Sequence, residues 1–354
     1  MEDELQKKCV EMKQDYFMND HYNEAPGTVD VHKLIYVTKS FDDELWNDNL
    51  DSRQMPEMCT KDLELPVFSD KKQYDPIDHV KVRVVAKEDW GRVDWETMKV
   101  KDEQAQPVHF EKVIFNIHGG SWNGGSSGER YMFLKSYAIR IGCPVFSVDY
   151  RLAPSHMFPE GLDDCFQVYM WLVYYSRKYL QITFDKIILD GDSAGGNLSL
   201  SLSVLTILRN IRIPDKLILH YPCASIDIKS FTPSLVTSVD DSVLPHHFLP
   251  NVINFYAEPK NKKHQLSSPK YMSQEVLEKF PKCYFLIAEM DPIRDEALRT
   301  CLRLAKVGKQ LQEDKVEVII FKHCQHSFTG HSYYPKLFEM SKTAKEIAEK
   351  IVLE

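Results

Sequence analysis

The hexapeptide Gly191-Asp192-Ser193-Ala194-Gly195-Gly196 follows the apolar run KIILD and precedes a segment with helical apolar spacing. A serine in G-x-S-x-G, where a strand turns into a helix, sits on a strained turn that projects its hydroxyl. Glycines are needed there because side chains on either flank would collide with the neighbouring strand and helix. The helix amino terminus adds partial positive charge and free N–H groups, and the Ala194 N–H is the obvious donor to a developing oxyanion. The chemistry this suits is nucleophilic attack by Ser193 on an acyl carbon. A serine hydroxyl is a weak nucleophile at neutral pH, so it needs a base within hydrogen-bond reach and an acid to orient that base.

Two later residues fit those roles. Asp291 follows the run CYFLIA at a turn set by Pro292, and His326 follows VEVIIF. Both stand at carboxyl ends of expected strands, the edge where open α/β sheets place their sites. Singly, Asp291 could cap a helix starting near Ile293, and His326 is one of 13 histidines. Ordered as serine, acid, histidine they form one of the known hydrolytic sets. His323 competes with His326 but lies nearer the strand end. Asp295 and Glu296 compete with Asp291, although about one turn into a helix they would face elsewhere. Upstream, His118-Gly119-Gly120-Ser121-Trp122 ends the run VIFNI and matches the H-G-G type of loop whose backbone N–H groups point at a substrate carbonyl.

Other chemistries find no support. There is no H-E-x-x-H, no G-x-G-x-x-G, and the glycine-rich stretches lack the Lys-Ser/Thr of a phosphate loop. His323-Cys324-Gln325-His326 has no further matched ligands, so a loop histidine pair is the plainer reading than a metal site. No cofactor and no metal are expected.

These residues need a scaffold. From residue 113 short apolar, β-branched runs alternate with helical segments, the pattern of a mostly parallel sheet covered on both faces. Strands are expected at 113–117, 145–148, 186–189, 217–220, 283–288 and 316–321, with helices at 129–141, 162–179, 194–209, 294–308 and 333–353. VKVRVVA at 80–86 alternates like a half-buried strand, with Thr97 to Lys101 as its expected hairpin partner. The organisation expected is an accessory or cap segment over 1–75 and an α/β domain over 76–354, interrupted at about 224–280. That proline-punctuated connection is long enough for a lid or binding element. Its Phe231, Phe248 and Phe255 suit an acyl pocket and equally suit a core. Asn197 opens a formal glycosylation sequon but lies in the helix after Ser193, where burial is expected.

Composition agrees with a globular domain: of 354 residues 43% are hydrophobic and 27% charged. A net charge of −8 with no Lys/Arg-rich block disfavours nucleic acid. The apolar stretches at 169–175 and 198–208 fall short of the roughly 20 residues that span a bilayer. The opening MEDELQKKCVEM is too charged for a signal peptide, so a cytoplasmic location is expected. Eight scattered cysteines read as reduced core thiols.

HGGSW, DYRLAPSHMFPEGLDDC, GDSAGGN, DPIRDE and the late HSF, in this order, resemble the hormone-sensitive lipase family of α/β-hydrolases. The resemblance covers about residues 110–330, with 135–223 most like the catalytic domain that gives the family its name. It implies a serine esterase or lipase acting on a small-molecule or lipid ester. It assigns Ser193 as nucleophile, Asp291 as acid and His326 as base, with oxyanion donors from Gly119, Gly120, Ser121 and Ala194. Residues 1–110 and the insertion would form the cap, and peripheral contact with a lipid droplet or membrane surface is a further expectation. Two departures stand out. Ser121 occupies the third glycine position of H-G-G-G, where a required positive φ would be strained, and Ser155 replaces the glutamate usual after Ala-Pro. H-G-G-x-W also occurs in formamidase and prenylcysteine esterase relatives, which keeps amide or thio-linked ester cleavage open. The reading from another class is a non-catalytic receptor or assembly subunit.

Overall fold

The computed structural model describes residues 34–37, 59–66, 79–86, 93–94, 99–102, 104–228, 232–245, 247–330 and 335–354. Its strands are β1 (Leu34–Val37), β2 (Cys59–Pro66), β3 (His79–Ala86), β4 (Val93–Asp94), β5 (Lys99–Val100), β6 (Val108–Ile117), β7 (Val145–Asp149), β8 (Ile182–Asp192), β9 (Lys216–His220), β10 (Lys282–Ala288) and β11 (Val316–Phe321). Its α-helices are α1 (Tyr131–Ser136), α2 (Glu160–Leu180), α3 (Ala194–Leu208), α4 (Pro233–Thr237), α5 (Leu249–Tyr256), α6 (Gln274–Lys279), α7 (Arg294–Leu311) and α8 (Pro335–Leu353).

One sheet organises the molecule, in the order β1-β11-β10-β9-β8-β6-β7-β3-β2. The pairings from β7 through to β1 are parallel, and β3 pairs antiparallel with both β7 and β2. Alternate side chains serve opposite faces, as strand pleating demands. Val113, Phe115, Ile117, Ile187 and Leu189 join a core with α2, α3, α7 and the insertion, while Ile114 and Ile188 join a second core under α1 and α8. From β6 the chain steps to β7 on one side, then crosses to β8 on the other. The carboxyl ends of β6 and β8 therefore flank a topological switch point, where sites form in sheets of this kind.

Within the stretch expected to return along β3, Lys99 and Val100 pair instead with Asp94 and Val93 in a separate ladder, and Thr97 and Met98 lie outside the described residues. β3 lies inside the main sheet, where Val82 is paired with Leu63 of β2 on one side and Val148 of β7 on the other. The 1–75 segment, expected as an accessory or cap, supplies β1 and β2 to the sheet edges, and the rest of it lies outside the described residues. The helix expected over 129–141 is α1 followed by a turn of π-helix at Tyr137–Ile141. No helix among the described residues is long and apolar enough to cross a membrane.

Candidate active site

The turn from β8 into α3 places Ser193 at φ 52°, ψ −115°, outside the usual backbone basins. Strain of this kind persists only where the surroundings over-determine it. The Ser193 N–H donates to His220 O at 2.9 Å, and its carbonyl accepts from Asn197 N and Cys223 N, both at 3.1 Å. A Cβ at Gly195 would fall onto Ile117 O at the end of β6, so only glycine lets the helix start this close to that strand. α3 is buried almost all round, and three of its hydroxyls bond back to the helix: Ser199 Oγ donates to Gly195 O, Ser203 Oγ to Ser199 O and Thr206 Oγ1 to Ser203 O. Ser201 Oγ is buried without a partner among the described residues. Asn197 is buried as expected, donating to Cys223 O and Ser267 O.

Asp291 and His326, 1% and 2% exposed, come from the loops after β10 and β11. The His326 Nδ1 lies 2.7 Å from Asp291 Oδ2, and its Nε2 lies 2.8 Å from Ser193 Oγ. A carboxylate only accepts, so Nδ1 carries the proton, Nε2 is the acceptor, and the Ser193 hydroxyl donates to it. Asp291 Oδ1 is fixed in turn by the Ile293 N–H at 2.9 Å. Burial alone would lower the His326 pKa, but the charge and hydrogen bond of Asp291, with Asp241 and Asp192 behind, leave it raised above the ordinary 6.5. The imidazole is thus set to take the serine proton and to hold it as a cation.

The competitors are elsewhere. The His323 side chain is 79% exposed. Asp295 pairs with Arg294 at 2.9 Å, and Glu296 with Lys270 and Arg299. Among the described residues no cluster of His, Cys, Asp or Glu could hold a metal.

The donors expected in the loop after β6 differ in their bonding. The Gly119 N–H donates to Asp192 Oδ1 at 3.0 Å. The N–H groups of Gly120, Ser121 and Ala194 are bonded to no protein acceptor among the described residues. Gly120, Ser121 and Trp122 all take positive φ, at 114°, 56° and 61°, so Ser121 does adopt the left-handed backbone expected to strain it. His118 stacks on Tyr150 with centroids 4.4 Å apart, and Tyr150 Oη donates to His118 O. Trp122, 2% exposed, stacks on Tyr256 of α5 at 4.3 Å and 9°.

Several contributing residues carry no local signal. Asp192, the variable residue of the serine motif, also pairs with buried Arg130 at 2.9 Å. Beneath it, Asp190 accepts from Tyr137 Oη at 2.8 Å and Asn116 Nδ2 at 2.8 Å and faces His220 Nε2 at 3.1 Å. Burial disfavours the Asp190 charge, but His220, Arg130 and Tyr137 hold its pKa below the carboxylate range. Burial and the neighbouring Arg130 keep His220 low, so the carboxylate is the charged member of that pair. The DYRLAPSHMFPEGLDDC stretch is a lock onto α2: Arg151 bonds Asp164 at 2.9 Å and Glu160 at 2.7 Å. Ser155 is exposed and takes no part. Phe248 and Phe255 are 37% and 46% exposed, neither core nor a closed lining, and Phe231 lies outside the described residues.

Residues 114–330 match the model of a family described as alpha/beta hydrolase fold. The chain is 35% identical to hormone-sensitive lipase of Bos taurus over 174 residues, 49% of this chain and 23% of that protein. It is 29% identical to an arylesterase of Saccharolobus solfataricus over 200 residues, 55% of this chain and 63% of that one. It thus spans less than a quarter of the bovine lipase's length. Carboxyl esterase 2 of Tuber melanosporum superposes with a TM-score of 0.67 at 25% identity, over 84% of this chain and 88% of that one.

Proposed function

The chain belongs to the α/β hydrolase fold family, and on that premise we propose that it hydrolyses carboxylic esters through an acyl-Ser193 intermediate. The observation that carries this reading is one imidazole, His326, bonded on one nitrogen to Ser193 Oγ and on the other to buried Asp291. As Ser193 Oγ attacks the ester carbon, His326 Nε2 takes its proton, and Asp291 holds the ring orientation and stabilises the cation. The negative charge moving onto the carbonyl oxygen is met by the N–H groups of Gly120, Ser121 and Ala194. Each such donor contributes about 2.7 to 4 kcal/mol to the transition state. His326 then protonates the departing alcohol, and water releases the acid by the same steps in reverse.

The substrate class we assign is an acylglycerol or similar lipid ester, which the likeness to hormone-sensitive lipases supports. Exposed Phe248 and Phe255 support peripheral contact with a lipid surface, and six cysteines that are buried and unpaired among the described residues support a reducing cytosol. The test is labelling of the full chain with a fluorophosphonate, with Ser193→Ala as control, followed by p-nitrophenyl esters of increasing chain length. Labelling lost in the variant, together with ester turnover, is the expected result. A folded wild type that neither labels nor turns over esters overturns the reading in favour of a binding-only role.

A further inference from the structure

The proline-punctuated insertion reaches both loops that flank Ser193. Asp241, 3% exposed, accepts the His326 backbone N–H on Oδ2 at 3.0 Å. Its Oδ1 accepts from Val243 N at 2.8 Å and Leu244 N at 2.7 Å. Next to it, Ser242 Oγ donates to Gln325 Oε1 at 2.9 Å. On the acid side, Ser234 Oγ donates to Pro292 O at 2.9 Å, and the Ser234 N–H donates to Asp295 Oδ2 at 2.9 Å. One short stretch, 232–244, therefore grips the residue after Asp291 and the backbone of His326 itself. A buried carboxylate is costly unless its oxygens are satisfied, and three main-chain N–H donors satisfy this one. None of these contacts involves an atom that reacts.

Resting on the reading of Ser193 as an acylating nucleophile, we propose that Asp241 is a positioning residue for His326. In this role the 232–244 segment is a brace that holds the acid and base loops in register across the site. The brace is continuous with α5, whose Tyr256 packs on Trp122 of the donor loop. Movement of the insertion is thereby coupled to the alignment of the imidazole.

The groups facing His326 are Asp291 at Nδ1, Ser193 at Nε2, Asp241 at the main chain, Asp192 from the end of β8, and the Tyr221 ring, its centroid 5.0 Å from that of the imidazole. Arg130 lies beyond Asp192, paired to it. Asp241 touches the backbone and not the ring, so Asn at 241 keeps an acceptor while removing one negative charge near the imidazole. Ala removes both.

The experiment is the second-order rate of fluorophosphonate labelling against pH, for full-length wild type, Asp241→Asn and Asp241→Ala, with circular dichroism to establish folding. Asp241→Ala is expected to lower the plateau rate roughly 10- to 100-fold, the scale of a misplaced base. Asp241→Asn is expected to label faster than Asp241→Ala and to move the acid limb to lower pH. A purely structural role lowers the rate and leaves the limb in place, so an unmoved limb in Asp241→Asn overturns the proposal. A wild-type plateau in folded Asp241→Ala does the same. If Asp241→Ala does not fold, the Asp241→Asn limb alone decides. Wild type that fails to label at any pH overturns the Ser193 reading instead, which separates the two failures.

Discussion

Ser121 carries a Cβ at φ 56° in a loop where the preceding residue is glycine. An L residue pays about 1 to 2 kcal/mol for left-handed backbone, so Ser121→Gly should stabilise the folded chain by roughly 1 kcal/mol in urea melts. No gain would mean that local hydrogen bonding offsets the strain. His326 gives a second prediction. Its pKa is raised, so the neutral form that accepts a proton disappears on acidification at a higher pH than in a free imidazole. The acid limb of kcat/KM for ester hydrolysis should therefore lie above pH 6.5; a limb at or below that value contradicts the electrostatics described. Asp192→Ala strips Arg130 of its 2.9 Å partner and frees the Gly119 N–H, and is expected to cost about 3 to 5 kcal/mol of stability. Asp192→Asn, which keeps an acceptor, should cost less in the same melts. Ser193, Asp291 and His326 could be singled out in the sequence because each follows an apolar strand run and their order is recognisable. Asp192 and Asp241 could not, because each acts on backbone 73 or 85 residues away and leaves no local pattern.

Among the elements, the parallel strands were legible because both faces of each are buried and the apolar runs are continuous. The partner of β3 was not, since alternation fixes which side chains point inward but not which strand lies alongside. The insertion was legible only as an interruption. Its helices pack on the same core as α2 and α3 through Leu249, Val252 and Ile253. Periodicity within α5 nevertheless separates those residues from Phe248 and Phe255, which share its outer face. Replacing both phenylalanines by serine should change stability by no more than about 0.5 kcal/mol each, as for other surface sites. A loss near the roughly 3 to 5 kcal/mol of a buried phenylalanine would place them in the core after all.

For the whole molecule, Cys143, Cys165, Cys223, Cys283, Cys301 and Cys324 are all buried and unpaired. Burial pushes each thiol up, Cys143 and Cys223 to about 12, so almost none is thiolate near neutrality. Native protein should therefore leave these six unmodified by iodoacetamide, while chain unfolded in urea reacts at all of them; mass spectrometry distinguishes the two. Rapid labelling of any one in the native state would mark a region that opens locally.

The order of the sheet has a consequence for how the molecule is made. Ser193 and His326 are separated by 133 residues. At synthesis rates of about 5 to 20 residues per second, Ser193 leaves the ribosome roughly 7 to 27 s before His326. Until β10 is made, β9 has no neighbour on that side, and an apolar parallel edge waits unpaired. The contact between Ser193 and His326 therefore cannot form until β10, β11 and the loop after it have been made, an interval through which that apolar edge stays exposed.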